Sequence, residues 1–383
     1  MAGGAATAGG AATAGGAATA GGATAGGTVF DGGVPTWRQG LAKWQWVELP
    51  GTSLSSLAVV DPNDSSMMVR PAGRIDAWNG LSANRDTSEV YLACAGGHGD
   101  WMGNEVYAID LSLDVPRWRM LRGPTPGNFI STNVAYYADG RPSSTHLYYA
   151  LHFVRARGRI FKMSSGSVWG DGNGNNNKVD AFSLANNDYD PMGTYADVPG
   201  MGGAISRPYA YDPNTDDAYT FAAGQFRKWT ASTAAWSNVA ARPSYANDDI
   251  VGESPSAVDP TRQRVLFTRN AYRTTQRQGL LLTFAGSLTD AQLGGPAAAQ
   301  ANRGQNGMQY LPGEDVFLSK TPTAGEVVRI NPDTFESTLQ ATSGAEPPSA
   351  VNGVYTRWLD LPRLKGFAYL PSHAANFWFL ASE

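Results

Sequence analysis

The chain is poor in charged residues, in cysteine and in long apolar runs. Only 16% of its 383 residues are charged, and the net charge of −4 offers no basic surface for nucleic acid. The single cysteine, Cys94, excludes an intramolecular disulfide, and its place at the end of the apolar run 90–94 predicts a buried thiol. No stretch approaches 18 apolar residues, so we expect no membrane span.

The N-terminal segment also lacks the parts of a secretory signal. It has neither a basic region nor a leucine-rich apolar region before a cleavage site. If the protein works in a virion or outside a cell, it leaves the cell by another route, and lysis of a phage-infected host is one such route. A cytoplasmic location is the alternative.

What the N-terminus does contain is a tract of alanine, glycine and threonine over residues 2–27, built largely on the unit Ala-Gly-Gly-Ala-Ala-Thr. This composition is typical of a flexible linker. It can become ordered only against a foreign surface, because it buries nothing of its own and ordering costs about 1–2 kcal/mol per residue. A polyproline-II-like helix and a silk-like or solenoid strand both fit its period. The alternative to a linker is therefore an assembly arm in a homo-oligomer, with close contacts at Gly3, Gly4, Gly9, Gly10, Gly15, Gly16, Gly21 and Gly22.

Beyond residue 27 the chain is rich in turn-forming and aromatic residues. The whole chain has 45 glycines, 11 tryptophans and 16 tyrosines, and all of these tryptophans and tyrosines lie beyond residue 27. This composition indicates tight turns and strands rather than surface helices.

The clearest motif spans residues 90–118. An apolar strand at 90–94 runs into Gly96 and Gly97, a polar loop follows, then an alternating strand at 106–109, and then Trp118. Two glycines supply a turn with positive φ, and the spaced aromatic residues suit packing between neighbouring sheets. This order resembles the kelch repeat, which builds one four-stranded blade of a β-propeller. The resemblance implies an all-β propeller, is strong only here, and carries over no catalytic residue.

A degenerate repeat supports the propeller along the rest of the chain. An apolar strand that ends in Asp-Pro or Leu-Pro recurs at 58–62, 209–213, 256–260, 308–312 and 367–371, and 151–155 occupies the equivalent place without proline. Six such starts predict a six-bladed, kelch-like propeller, with seven blades as the alternative. We expect blades near 51–125, 128–199, 200–245, 246–298, 299–345 and 346–383.

The predicted domain boundaries follow from this repeat. Residues 1–27 form the tail, 28–50 form a strap that ends in a ring-closing outer strand near 44–50, and 51–383 form the propeller. Pairing of that strand with the C-terminal strands would remove free sheet edges.

Copper-radical oxidases of the galactose oxidase type share the kelch-like propeller. Their site needs two histidines and a tyrosine crosslinked to cysteine. No pattern around Cys94 and the tyrosines matches that constellation, so we expect no cofactor of this kind.

Candidate binding residues lie in loops. His98 and Asp100 belong to a Gly-Gly-His-Gly-Asp loop that could face the central channel near His152 and contact a ligand; the alternative is a hairpin whose side chains bond its own backbone. Four tryptophans in or beside polar loops suit sugars or protein surfaces, although many tryptophans pack between blades. They are Trp78, Trp101, Trp169 and Trp358.

One segment resembles the start of a calcium loop. Asp171, Asn173, Asn175 and Asp180 offer oxygen ligands at spaced positions, as Ca²⁺ prefers, but the bidentate glutamate and the flanking helices of an EF-hand are missing. A turn rich in glycine and asparagine is the alternative.

These observations favour a non-enzymatic structural or binding protein. We expect a phage tail, fibre or head-decoration protein whose propeller contacts a host surface glycan or neighbouring subunits and whose tail fixes it to the particle. The alternative is a carbohydrate-active enzyme at the channel mouth that uses carboxylates such as Asp100 and Asp171. A cytoplasmic interaction hub is the third possibility.

Overall fold

The computed structural model describes residues 33–57, 71–163, 166–170, 176–200, 206–222, 224–241, 253–268 and 278–383. The described strands form six four-stranded antiparallel sheets, each of which is one blade of a β-propeller. The prediction of an all-β, six-bladed propeller is confirmed, and the seven-bladed alternative is wrong. The tail glycines and the calcium candidates Asp171, Asn173 and Asn175 lie outside the described residues.

Blades one to three follow one another along the chain. Blade one contains β2 (Ser82–Asn84), β3 (Glu89–Ala93), β4 (Val106–Asp110) and β5 (Trp118–Arg122). Blade two contains β6 (Leu151–Val154), β7 (Arg159–Lys162), β8 (Asp180–Ser183) and β9 (Asp188–Tyr189). Blade three contains β10 (Tyr209–Tyr211), β11 (Ala218–Ala222), β12 (Gln225–Thr230) and β13 (Ala235–Ala241).

Blades four to six complete the ring. Blade four contains β14 (Ser256–Asp259), β15 (Arg264–Phe267), β16 (Gln278–Thr283) and β17 (Leu288–Gln292). Blade five contains β18 (Gly307–Leu311), β19 (Val316–Lys320), β20 (Val327–Ile330) and β21 (Ser337–Leu339). Blade six contains β22 (Trp358–Leu361), β23 (Gly366–Tyr369), β24 (Phe377–Ala381) and, from the other end of the chain, β1 (Trp46–Leu49).

Helical structure in the described residues is confined to single turns. Two short α-helices are α1 (Gly73–Asp76) and α2 (Ala298–Ala301), and 3-10 turns cover Thr36–Arg38, Leu54–Ser56, Gly127–Phe129, Arg155–Arg157, Tyr355–Arg357 and Pro362–Leu364. None of the helices in this part of the chain has the length and apolar character to cross a membrane.

Strand β1 is the outermost strand of blade six. It pairs antiparallel with β24, with Trp46 opposite Leu380 and Leu49 opposite Phe377. Trp46 and Leu49 are buried, whereas Glu48 between them is exposed. Because successive side chains point to opposite faces of a sheet, Trp46 and Leu49 pack on opposite sides of blade six. Residues near the two ends of the propeller thus share one sheet, so blade six depends on both.

Aromatic side chains fill the spaces between blades. Trp118 of blade one lies 5.8 Å from Phe377 of blade six, measured between ring centroids. Phe161 of blade two lies 4.8 Å from Trp229 of blade three. Burying an apolar side chain of this size contributes roughly 1.5–3 kcal/mol, so these contacts hold neighbouring sheets together.

The antiparallel order within each blade places its connections at two ends of the ring. Turns between the first and second strands, and between the third and fourth, lie at one end, which we call the turn face. Loops between the second and third strands, and the segments that join consecutive blades, lie at the other end, the loop face. The first strands of adjacent blades contact one another in the pairs β2–β6, β10–β14, β14–β18, β18–β22 and β22–β2. They therefore surround the central channel.

Candidate binding site

Imidazole, carboxylate and indole side chains come together on the loop face, between blades one and two. His146 lies at the centre, with its Nε2 atom 3.0 Å from Oδ2 of Asp100. Its ring lies 5.2 Å from the ring of Trp78 and 6.0 Å from that of His98. Trp169 joins the group through the backbone contacts of His98. We call these five residues the rim cluster.

The backbone of the Gly-Gly-His-Gly-Asp loop explains how His98 and Trp169 meet. Gly96 and Gly97 both have positive φ, and a Cβ on Gly97 would lie 2.3 Å from the carbonyl oxygen of Ser167, so only glycine fits there. The amide of His98 donates to the carbonyl of Val168 at 3.0 Å, and the amide of Gly170 donates back to the carbonyl of His98 at 2.6 Å. The loops of blades one and two are therefore joined side by side.

The rim cluster presents a mixed surface to solvent. His98 is exposed, whereas Asp100, Trp78 and Trp169 are partly exposed. His146 is only 3% exposed and packs beneath the more exposed members of the rim cluster. Imidazole and carboxylate groups exchange hydrogen bonds with hydroxyls, and indole faces pack against apolar C–H surfaces. This combination can hold a ligand that has both features.

Trp101 does not belong to this surface, although the sequence placed it with the exposed aromatic residues. It is 2% exposed, and its Nε1 donates to Oε1 of Glu105 at 2.8 Å. Burial raises the pKa of Glu105, while the guanidinium of Arg74 lowers it. Trp101 therefore positions a buried carboxylate beneath the loop, and the expectation that its indole is exposed is wrong.

A buried hydrogen-bond network continues from Glu105 toward blade six. Arg74 donates to the hydroxyl of Tyr107 at 2.7 Å and to Nε2 of His373 at 2.8 Å. Because His373 accepts this bond, its imidazole is neutral, and burial together with the neighbouring Arg74 lowers its pKa to about 4. This network fixes the loops on which the rim cluster lies.

Trp358 is also placed differently from the prediction. It is fully buried, and its ring stacks on Phe367 with centroids 4.6 Å apart. The polar residues near it in sequence suggested a loop, but it begins the inner strand β22. It is a core residue of blade six and offers no surface to a partner.

His152 lies away from the rim cluster, in the inner strand β6. Its ring stacks on Tyr211 at 5.4 Å, and it lines the central channel. Burial lowers its pKa to about 3, so the imidazole is neutral. The expected grouping of His98 with His152 is therefore replaced by a grouping of His98 with His146.

Asp180 is the one calcium candidate among the described residues. Its carboxylate lies 3.0 Å from the ammonium nitrogen of Lys162, and both side chains are buried. Within the described ranges, no group of three or more His, Cys, Asp or Glu side chains is arranged to hold a metal ion. The Asp180 carboxylate, which the calcium hypothesis requires as a ligand, is thus already paired with Lys162. Calcium binding by Asp171, Asn173 and Asn175 stays a prediction.

Cys94 is buried, as its apolar strand predicted. Its thiol lies 3.0 Å from the hydroxyl of Tyr189, and burial raises the cysteine pKa to about 12. The neutral thiol is a packing residue between blades one and two.

Sequence reasoning missed His146, the centre of the rim cluster. No motif surrounds it, because its neighbours in sequence are small polar and aromatic residues. Its partner Asp100 is 46 positions away, and only the packing of two blades brings them together.

No protein-family model and no curated protein matches this chain. Similar solved structures include a streptogramin B lyase, with 13% identity over 82% of this chain and 94% of that one and a TM-score of 0.44. A chain of the mitotic checkpoint complex has 11% identity over 92% and 97%, with a TM-score of 0.45. A protein of unknown function from Bacteroides thetaiotaomicron has 11% identity over 88% and 75%, with a TM-score of 0.48. These likenesses concern architecture alone.

Proposed function

We propose that this protein is a non-enzymatic binding protein whose rim cluster recognises a hydroxyl-rich glycan on a host surface. The observation that carries the proposal is that the partly exposed indole of Trp78 packs on His146, which bonds to Asp100 and contacts the ring of His98. Trp169, also partly exposed, is paired with His98 along the backbone. Pyranose rings have apolar C–H faces that pack on indoles and hydroxyls that bond to carboxylate and imidazole. The rim cluster supplies both kinds of contact within one surface.

The second part of the proposal concerns attachment. Residues 2–27 hold the propeller on a larger assembly, most simply a phage tail, fibre or head-decoration complex in which the chain is a homo-oligomer. The support is compositional: the uncharged Ala/Gly/Thr tract can become ordered only on a surface that another chain provides.

A kelch-type origin of blade one belongs to the same proposal. Gly96 and Gly97, both with positive φ, follow β3, and the buried Trp118 packs against the neighbouring blade. These are the features that the kelch resemblance implied for this segment.

Glycan binding is tested by screening the full chain on an array of bacterial surface glycans and measuring affinity for the best ligand. We expect Trp78→Ala and Trp169→Ala each to weaken binding about tenfold or more, since each removes an aromatic platform. Trp236→Ala is the matched control, because Trp236 is a partly buried indole in the outer strand of blade three. Equal affinity of all three variants and the wild type would overturn the glycan site.

Two further outcomes separate the alternatives. Cleavage of the bound glycan by the wild type, with loss of cleavage in Asp100→Asn, would replace the binding protein with a carbohydrate-active enzyme. Retention of a chain lacking residues 2–27 in the same assembly would overturn the attachment role and leave glycan binding intact.

A further inference from the structure

The central channel contains a cavity that the rim cluster does not share. Its volume is about 80 Å³, and its walls come from the first strands of all six blades. This space would hold on the order of five water molecules, or one small organic molecule of comparable volume. The channel is therefore large enough for a ligand of its own.

Four residues that line the cavity carry polar atoms without a hydrogen-bond partner among the described residues. They are Oγ of Ser82, Nε2 of His152, Oγ of Ser256 and the hydroxyl of Tyr355. The relative exposures of these residues are 4%, 5%, 6% and 1%. Leaving such a group unsatisfied costs about 1–3 kcal/mol each. Each of these four atoms has less than 1 Å² of accessible surface, so a ligand in the cavity reaches it only after a change of side-chain rotamer.

The cavity is closed toward the loop face by three tyrosines. The ring of Tyr355 lies 5.3 Å from that of Tyr148 and 5.2 Å from that of Tyr149, both in edge-to-face contact. The hydroxyl of Tyr149 donates across the axis to the carbonyl of Asn306 at 2.9 Å. Tyr149 and Tyr355 line the cavity and precede the first strands of their blades, so the three tyrosines lie at its loop-face end, on the side of the rim cluster.

At the turn face the lining includes Arg85 and Asp360, which form an ion pair between blades one and six. The paired charges cancel, and His152 is neutral because burial lowers its pKa to about 3. The cavity thus favours neither an anion nor a cation. Apolar side chains such as Leu151, Val258 and Met308 supply the rest of the wall.

We propose that the channel binds a small neutral polyol, whose hydroxyls pair with Ser82, His152, Ser256 and Tyr355 and whose carbon chain lies against the apolar wall. Hydroxyls both donate and accept, which suits serine and tyrosine hydroxyls and a neutral imidazole alike. This site goes beyond the glycan surface of the loop face and does not depend on it.

The test uses the full chain with erythritol and glycerol as probes, measured by titration calorimetry and by crystal structures of soaked crystals. We expect saturable binding of one polyol per chain, with the ligand in hydrogen-bond contact with at least two of the four atoms. Acetate and methylammonium, which carry opposite charges, should not bind.

The mutational test uses serine variants rather than a His152 variant, because His152 lies in an inner strand and its substitution disturbs the fold of the propeller. Ser82→Ala and Ser256→Ala should each weaken erythritol binding about fivefold, the effect of one lost hydrogen bond. Ser88→Ala is the matched control, since the Ser88 hydroxyl is equally buried and without a partner among the described residues but lies outside the cavity lining.

Three outcomes would overturn the proposal: ordered water alone in the cavity of soaked crystals, no saturable heat with either polyol, or equal weakening by Ser88→Ala. Trp78→Ala and Trp169→Ala should leave polyol binding unchanged. Failure of the glycan proposal and failure of the channel proposal are therefore distinguishable.

Discussion

The indole rings of Trp46 and Trp358 lie 6.0 Å apart in blade six, although one belongs to its outermost strand and the other to its innermost. Both side chains are almost fully buried, and Tyr369 packs against Trp46 at 6.5 Å. The contact joins the N-terminal strand to the C-terminal part of the chain. Ring closure therefore rests on packing as well as on the β1–β24 hydrogen bonds.

Truncation of Trp46 should destabilise the whole propeller. We expect Trp46→Ala to lower the free energy of unfolding by about 3–5 kcal/mol, because it leaves a cavity between β1 and the rest of blade six. Urea unfolding followed by tryptophan fluorescence measures this change. Val34→Ala is the control, since Val34 is 46% exposed. A loss below about 1 kcal/mol for Trp46→Ala would show that blade six closes without this contact.

The contribution of two buried histidines to stability should be lost as the pH is lowered through the range in which histidines titrate. Burial lowers the folded-state pKa of His152 to about 3, and burial with Arg74 lowers that of His373 to about 4, whereas unfolded imidazoles titrate near 6.5. Below pH 6.5 the unfolded state therefore binds more protons than the folded state. The stabilisation is fully present above pH 6.5 and is lost as the pH falls toward 4.

The measurement is urea unfolding at several pH values between 4 and 7. Between the folded and unfolded pKa values, each of the two histidines should change the free energy of unfolding by about 1.4 kcal/mol per pH unit. His373→Gln keeps a hydrogen-bond acceptor for Arg74 and should remove the contribution of this imidazole to the pH dependence of the free energy of unfolding. Parallel slopes for the variant and the wild type would contradict the assignment to His373. His98→Gln, on an exposed loop residue, is the control for loss of an imidazole.

Cys94 should be unreactive in the folded protein. Burial raises its pKa to about 12, so the thiolate is scarce at neutral pH and reagents cannot reach it. We expect a disulfide reagent such as 5,5′-dithiobis(2-nitrobenzoic acid) to react at least about 100-fold more slowly in buffer than in urea. Because the chain has one cysteine, the absorbance change reports it alone. Rapid reaction without denaturant would place Cys94 at the surface.

Removing one partner of the buried ion pair between Lys162 and Asp180 should destabilise the protein, whereas replacing both partners should largely preserve its stability. Lys162→Met alone should destabilise the protein by about 3–5 kcal/mol, because it leaves the Asp180 carboxylate buried without its cation. Lys162→Met combined with Asp180→Leu should recover most of this loss.

Thermal unfolding in calcium and in chelator tests the competing role of Asp180. A calcium-dependent melting temperature that Asp180→Asn abolishes would assign the carboxylate to a metal site.

Local sequence predicted the number of blades but not where every blade begins. The motif at 367–371 lies on β23, the second strand of blade six, and the motif at 58–62 lies outside the described residues, whereas β2 is the first strand of blade one. The recurring strand and turn pattern predicted six blades, because each blade is a meander whose turns are specified by nearby glycine, proline and aspartate. The Gly96–Gly97 pair was likewise a local signal, since it reports a backbone conformation.

Exposure of individual tryptophans was not predictable from the same signals. Trp101 and Trp358 have polar neighbours in sequence, as Trp78 and Trp169 do, yet they are buried. Trp101 is covered by Arg74, which is 27 positions away, and Trp358 belongs to a buried cluster that includes Val316 and Leu318 of blade five. Composition around a residue describes its local segment and not the neighbouring blade that covers it.

The sequence by itself determined the number of blades and the turns that separate their strands, because these depend on residues within a few positions of one another. Only the tertiary structure decided which side chains share a surface. His146 meets Asp100 and Trp78, and His152 faces the channel instead, because the ring brings loops of different blades together across separations that no local pattern records.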